Sequence, residues 1–200
     1  MKVLNDIFTK LLNYLVEFFL FIVKGFEFLG SKFTAFGSLY NNIFYKKMVA
    51  REIALGEIAK GSKVLHIGSG PYPMTAIALA QGGYEVVGVD NDPKAIRSGQ
   101  RLVDKMGLSS LVKFKEIDAL GIGYNDFDLI ILSLHVIPKA RTIEEIIEGL
   151  DKGTRVVYRN PRGLLSKIYP RVYPESLSLD INHTIRKQSF GKESVLIYKV

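Results

Sequence analysis

The hydrophobic positions divide the chain into an N-terminal part with helical periodicity and a longer part made of short apolar runs. Residues 7–36 are rich in Phe and Leu. From Asp6 onward, polar side chains recur at intervals of three, four and seven, which places them on one face of a helix: Asp6, Lys10, Asn13, Glu17, Lys24 and Glu27. The longest uninterrupted apolar run, Phe18–Val23, is too short to cross a bilayer. The pattern therefore predicts one or two amphipathic helices with a wide aromatic face.

Two uses of this apolar face stay open. The face packs on the rest of the chain or on a second copy, which makes a homo-oligomer possible, or it lies on a membrane surface. A further helix is predicted over Ile43–Ala59, with Gly61 ending it.

Residues 63–90 predict a strand, a glycine turn, a helix and a second strand. The run Val64–Ile67 is typical of a buried parallel strand. The turn that follows has small residues, which let the backbone come close to a ligand: Gly68, Ser69 and Gly70. Asp90 ends the second strand, where a carboxylate can accept hydrogen bonds from ribose hydroxyls. This arrangement favours a nucleoside pocket, and the alternative is a turn that only packs the helix on the strand.

Later segments continue the alternation of strands and helices. The predicted elements are a helix at 92–106, strands at 111–115 and 126–133, a helix at 143–150, a strand at 154–159, and a closing hairpin of strands at 181–188 and 194–200. We therefore expect an α/β, Rossmann-like fold with a seven-stranded, mostly parallel sheet and a C-terminal antiparallel hairpin. An N-terminal helical cap would occupy residues 1–60 and the sheet domain residues 61–200.

The glycine turn also distinguishes among nucleosides. A dinucleotide would favour G-x-G-x-x-G, but the last position is Pro73, and Pro71 and Pro73 lack the N–H groups that a diphosphate binds. S-adenosylmethionine carries no phosphate and fits better. The predicted cofactor site also includes Asn91, Leu134 and Asp118, with Asp118 placed to meet the adenine amino group or, alternatively, acting as a turn former.

Composition and net charge limit the kinds of partner and metal that the protein could bind. The net charge of +7 is compatible with nucleic acid or anionic membrane, but no concentrated Lys/Arg run is present, so a merely soluble basic surface is favoured. The chain has no cysteine, which excludes disulfides and thiolate metal sites. Its three histidines show no zinc-ligand spacing, and His66 is interpreted as a core residue within the first strand. No metal site is predicted.

Several motifs together resemble the nicotianamine synthase family. GSGPYPMTAIALA, from Gly68, is similar to the family's G-S-G-P-x-P-x-T-x-I, and DNDP at Asp90 is similar to its D-x-D-P. Residues 153–174, GTRVVYRNPRGLLSKIYPRVYP, resemble its arginine segment followed by Tyr-Pro. Residues 48–55, MVAREIAL, resemble the helix that carries Leu-Glu-Tyr in the family, although Arg51 and Ile53 replace the leucine and the tyrosine. The resemblance runs from Tyr45 to the C-terminus.

The resemblance implies a reaction as well as a fold. Such enzymes, whose wider role is metallophore biosynthesis, move the 3-amino-3-carboxypropyl arm of S-adenosylmethionine to an amine and release methylthioadenosine. Glu52 takes the position of the family's glutamate and would act as base, and Tyr72 would orient the amine. A small amine or amino acid is the implied acceptor, and the implied substrate-binding residues are His135, Arg159 and Tyr169.

Each of these residues also has a purely structural interpretation. Glu52 could be a solvated helix acid, Tyr72 a packing residue, and Arg159 and Tyr169 loop structure. The rival functions are a small-molecule methyltransferase and a basic, membrane-peripheral module that binds S-adenosylmethionine. The expected location is the cytoplasm, with possible peripheral membrane contact through residues 7–36.

Overall fold

The computed structural model describes residues 45–119, 122–151, 153–188 and 191–199. The predicted amphipathic segment at residues 7–36 therefore lies outside the described residues. The division into a cap at 1–60 and a sheet domain at 61–200 stays a prediction. Within the described part of the chain, no helix is long and apolar enough to span a membrane.

The described chain alternates helices and strands and closes with two antiparallel strands. The helices are α1 (Lys46–Gly56), α2 (Met74–Gln81), α3 (Pro93–Lys105) and α4 (Lys139–Glu148). The strands are β1 (Lys63–Ile67), β2 (Glu85–Asp90), β3 (Val112–Glu116), β4 (Leu129–Leu132), β5 (Arg155–Pro161), β6 (Ile181–Lys187) and β7 (Lys192–Lys199). Two short 3₁₀ helices, Gly163–Lys167 and Pro174–Ser176, occupy the connection after β5.

The seven strands form one sheet in the order β3-β2-β1-β4-β5-β7-β6. The first five strands of this order are parallel, and β7 runs antiparallel between β5 and β6. Leu65 of β1 pairs with Val87 of β2 on one side and with Ile130 of β4 on the other. The chain reverses its direction of strand addition between β1 and β4, so a crevice opens there at the carboxyl ends of the strands. The predicted fold class is confirmed.

Each face of the sheet is buried by a different set of helices. Val64 and neighbouring residues of that face pack with α1, α2 and α3, whereas Leu65 faces the opposite layer formed by α4 and the loop near Val172. Successive strand residues point to opposite faces, and both faces are covered. The predicted strands consequently read as continuous apolar runs rather than as alternating ones.

Two predicted helix boundaries are wrong. α1 ends at Gly56, and Glu57 adopts a left-handed conformation with φ of 52°, so Gly61 is not the helix terminus. Gly61 instead serves the turn before β1, where its N–H donates to the carbonyl of Gly83. α4 begins at Lys139, four residues before the predicted start, and the Thr142 hydroxyl donates to the Pro138 carbonyl within the first turn.

Candidate active site

A cavity of about 220 Å³ opens at the carboxyl ends of β1 to β4. Five of the predicted site residues line it together: Gly68, Asp90, Asn91, Asp118 and His135. Apolar and small side chains that the sequence analysis did not name complete its wall, among them Ile117, Val136, Ile137 and Thr142. The cavity lies at the reversal of strand order, which is where an open α/β sheet binds its ligand.

The glycine turn follows β1, and Gly68 of this turn lines the cavity. Gly68 has φ of +73° and Gly70 has φ of +68°, values that L side chains rarely adopt. A Cβ on Gly68 would lie 2.8 Å from a methyl carbon of Val136, whereas one on Gly70 would meet no atom of the described part of the chain within 4 Å. The N–H groups of Gly68 and Ser69 both donate to the Val89 carbonyl at 3.0 Å, which fixes the turn against β2.

Asp90 joins the turn to the end of β2. Its Oδ2 accepts a hydrogen bond from the Gly70 N–H at 2.8 Å, and its Oδ1 accepts one from the Asp92 N–H at 3.1 Å. A carboxylate can accept about four hydrogen bonds, so both oxygens keep acceptor capacity for a ligand hydroxyl. The half-buried side chain lines the cavity. Its role as an acceptor for ribose hydroxyls stays a prediction.

A fully buried ion pair lies on the α1 face of the sheet. Arg159 donates through Nε to Oε1 of Glu52 at 2.8 Å and through Nη2 to Oε2 at 2.7 Å. Glu52 is 0% exposed and Arg159 is 4% exposed. The alternative that Glu52 is a solvated helix acid is therefore wrong.

Two further side chains complete this buried cluster. The Ser194 hydroxyl donates to Oε1 of Glu52 at 2.7 Å, and Nη1 of Arg159 donates to the Thr75 hydroxyl at 3.0 Å. The cluster thereby links α1, α2, β5 and β7. Thr75 and Ser194 were not predicted, because an isolated hydroxyl residue carries no pattern of its own. The one available signal was the threonine inside the glycine–proline motif.

Burial sets the protonation of the neighbouring groups. His66 is confirmed as a core residue: it is 2% exposed, and its Nε2 lies 2.9 Å from the Ser133 hydroxyl. Burial, with the positive charge of Arg159 adding to it, holds the pKa of His66 well below its usual value, so this imidazole is neutral. Burial also raises the pKa of Tyr72, which keeps its phenol protonated and able to donate a hydrogen bond.

Seven predicted site residues do not line the cavity: Glu52, Tyr72, Ser69, Gly70, Leu134, Arg159 and Tyr169. The hydroxyl of Ser69 is buried and has no hydrogen-bond partner among the residues that the structure describes, and Leu134 is buried with its carbonyl directed to Lys139. Tyr169 is half-buried just beyond the first 3₁₀ helix. None of these three belongs to the residues that line the cavity.

Comparisons with known proteins match this architecture. A variant of MtNAS aligns with a TM-score of 0.72 and 26% identity, covering 81% of this chain and 62% of that one. An O-methyltransferase from Thermotoga maritima aligns with a TM-score of 0.63 and 17% identity, covering 79% and 66% of the two chains. The fold is that of class I S-adenosylmethionine-dependent transferases.

Sequence comparison is more specific. Residues 32–198 match the family described as nicotianamine synthase protein. A curated relative, the L-histidine 2-aminobutanoyltransferase of Yersinia pestis, is 32% identical over 124 residues, which are 61% of this chain and 46% of that enzyme. The chain therefore spans about half the length of this relative. It belongs to the nicotianamine synthase family.

Proposed function

We propose that the protein transfers the 3-amino-3-carboxypropyl group of S-adenosylmethionine to the amine of a small acceptor and releases 5′-methylthioadenosine. The observation that carries the proposal is the cavity at the reversal of strand order, with Asp90 at its edge, in a chain of the nicotianamine synthase family. A cavity lined by Gly68, with Asp90 as the acceptor of hydrogen bonds from the ribose hydroxyls, suits the adenosine half of this co-substrate.

The transfer is a substitution at carbon. The lone pair of the acceptor nitrogen attacks the arm carbon next to sulfur, the carbon–sulfur bond breaks, and its electron pair neutralises the sulfonium. The product nitrogen then loses one proton. Three carbons adjoin the sulfonium, so the outcome depends on which of them the protein aligns with the nitrogen. An enzyme of this fold therefore needs positioned polar groups beside the cavity.

Glu52 and Tyr72 are the groups proposed to handle the acceptor amine. The phenol of Tyr72 stays protonated, because burial raises its pKa, and it is suited to donate a hydrogen bond. The carboxylate of Glu52 is occupied by Arg159 and Ser194. Proton transfer to Glu52 therefore requires this pairing to open when the acceptor binds. Without that opening, Glu52 acts by holding α1 and Arg159 in place.

The acceptor is proposed to be an amino acid or a related small amine. The relative from Yersinia pestis is named L-histidine 2-aminobutanoyltransferase, and a mutant of MtNAS was crystallised in complex with S-adenosylmethionine. The guanidinium of Arg159 is committed to Glu52 and Thr75, so a carboxylate of the acceptor needs another cation or a rearranged Arg159. His135 and Tyr169 remain the other proposed contacts.

The nucleoside product tests this proposal. The full chain is incubated with S-adenosylmethionine and single amino acids, with the Glu52→Gln variant in parallel, and the products are separated by liquid chromatography and identified by mass. Methylthioadenosine above the spontaneous background, reduced in the variant, supports arm transfer. S-adenosylhomocysteine as the product would instead make the protein a methyltransferase.

A further inference from the structure

Lys139 occupies an unusual position for a lysine. It is the first residue of α4, yet it is only 2% exposed. Its Nζ donates to the carbonyl of Leu134 at 2.6 Å and to the carbonyl of Arg159 at 2.8 Å. Lysine is almost never fully buried without a partner, and here the partners are two main-chain oxygens rather than a carboxylate.

One of these carbonyls lies next to the cavity, and the other belongs to the arginine of the buried ion pair. Leu134 follows β4 and precedes His135, which lines the cavity. Arg159 lies in β5, and its side chain holds Glu52. Because one ammonium group bonds both carbonyls, the end of β4 and the end of β5 are fixed at the spacing that Lys139 spans. Lys139 also adjoins Pro138, another residue of the cavity wall.

Charge in this place is costly to the fold. Burial, together with the positive charge of Arg159, lowers the pKa of Lys139 to about 8. The imidazole of His135 also interacts with this ammonium. An apolar side chain of similar length would avoid this cost, but it would remove the donor that the carbonyls of Leu134 and Arg159 share. The lysine at this position is therefore defined by the two carbonyls that its ammonium group joins.

We propose that Lys139 is a positioning residue whose two hydrogen bonds set the cofactor cavity against the Glu52–Arg159 pair. The inference rests on the proposed function in one respect, namely that the ligand of the cavity is S-adenosylmethionine. The ammonium form binds carbonyl oxygens more strongly than the neutral amine. Ligand affinity should therefore depend on the charge of Lys139.

The experiment is titration calorimetry of the full chain with S-adenosylmethionine from pH 6.5 to 9.5. We expect Lys139→Met to bind about tenfold more weakly than the wild type at pH 7, the effect of losing hydrogen bonds to a charged group. This ratio should fall towards one as the pH rises, and any titration of the ligand itself cancels in it. Lys105→Met, which alters an exposed lysine at the end of α3, should match the wild type throughout.

A second variant separates positioning from folding. Lys139→Gln keeps an amide donor without the charge, so its affinity should lie between those of the wild type and Lys139→Met, with a ratio to Lys139→Met that does not change with pH. Equal affinity of Lys139→Met and the wild type would overturn the inference, as would unfolding of both variants by circular dichroism. Failure of the wild type to bind S-adenosylmethionine would count against the proposed function instead.

Discussion

Arg159 of β5 holds Glu52 of α1 through two parallel hydrogen bonds of 2.8 and 2.7 Å, and both side chains are buried. Arg159 also touches Thr75 of α2, at the start of the helix that follows the glycine turn. The pair therefore connects α1 to α2, the helix that follows the glycine turn beside the cavity. The same two residues are thus expected to stabilise the fold and to contribute to the proposed reaction.

Removing one partner of this pair should be strongly destabilising. Arg159→Met leaves the Glu52 carboxylate buried and uncompensated, and we expect a loss of about 3–5 kcal/mol in the free energy of unfolding, measured by urea denaturation. The double variant Glu52→Gln/Arg159→Met should lose less than the sum of the two single changes, because the partners interact directly.

An exposed pair serves as the control. Arg141 and Glu145 form an ion pair one turn apart on α4, and the Arg141 side chain is 71% exposed. Arg141→Met should leave the unfolding midpoint unchanged within error, since exposed pairs contribute little. If Arg159→Met is as harmless as Arg141→Met, the buried pair does not hold α1 as described.

The two turn glycines should differ in their tolerance of alanine. At Gly70 the added methyl group meets open space, so only the left-handed backbone opposes it, at about 1–2 kcal/mol. At Gly68 the same backbone strain is joined by a contact of 2.8 Å with Val136, which raises the expected cost to about 3 kcal/mol. Thermal unfolding of the two variants measures the difference. Equal costs would mean that Val136 moves aside freely.

Asp90 should govern cofactor affinity. Asp90→Ala removes the acceptor proposed for the ribose hydroxyls, and we expect about a 100-fold loss of affinity for S-adenosylmethionine by calorimetry, as for two hydrogen bonds to a charged group. The matched control is Asp92→Ala. Asp92 caps α3 by accepting from the Lys94 N–H, so its loss should cost about 1 kcal/mol of stability and leave affinity intact. Similar affinity losses in both variants would remove Asp90 from its proposed role.

Stability should rise with pH through the range where free histidine titrates. The folded-state pKa of His66 lies well below the usual 6.5, so below that pH the unfolded chain binds a proton that the folded chain excludes. The free energy of unfolding should consequently fall as the pH drops below about 6.5, with a slope of up to about 1.4 kcal/mol per pH unit. Burial lowers the pKa of His135 as well, which adds to the slope in the same direction, although Asp90 opposes that shift.

Substitution at His66 isolates its share of this slope. His66→Gln should flatten the pH dependence of urea unfolding between pH 5 and 6.5 (about the range of histidine titration), while Ser133→Ala, which leaves the buried imidazole in place, should keep it. An unchanged slope in His66→Gln would show that the imidazole takes up a proton within the folded protein.

The sequence predicted the sheet well because parallel strands buried on both faces read as apolar runs, as Val64–Ile67 does. The sequence also predicted that Gly68 and Asp90 lie in one site, because they stand at the carboxyl ends of two strands, at the same edge of the sheet. It assigned Glu52 and Arg159 to the site without pairing them. They stand 107 residues apart, and no local pattern encodes a contact across α1 and β5.

The role of Lys139 was beyond sequence reasoning for a related reason. A lysine after Pro138 at the start of a helix is normally a solvated cation. Here the path of the chain from β4 into α4 places its amine within hydrogen-bond distance of the carbonyls of Leu134 and Arg159. The early start of α4 was missed at the same place, because Lys139–Thr142 carries no apolar periodicity.

The most direct test of the account follows the carbon that moves. S-adenosylmethionine labelled with ¹³C in the aminocarboxypropyl arm, and in a parallel reaction in the methyl group, is supplied with the amino acid that gives the fastest consumption of S-adenosylmethionine. The account predicts arm label in the acceptor product and methyl label in methylthioadenosine. Methyl label in the acceptor product, with arm label left in S-adenosylhomocysteine, would contradict it.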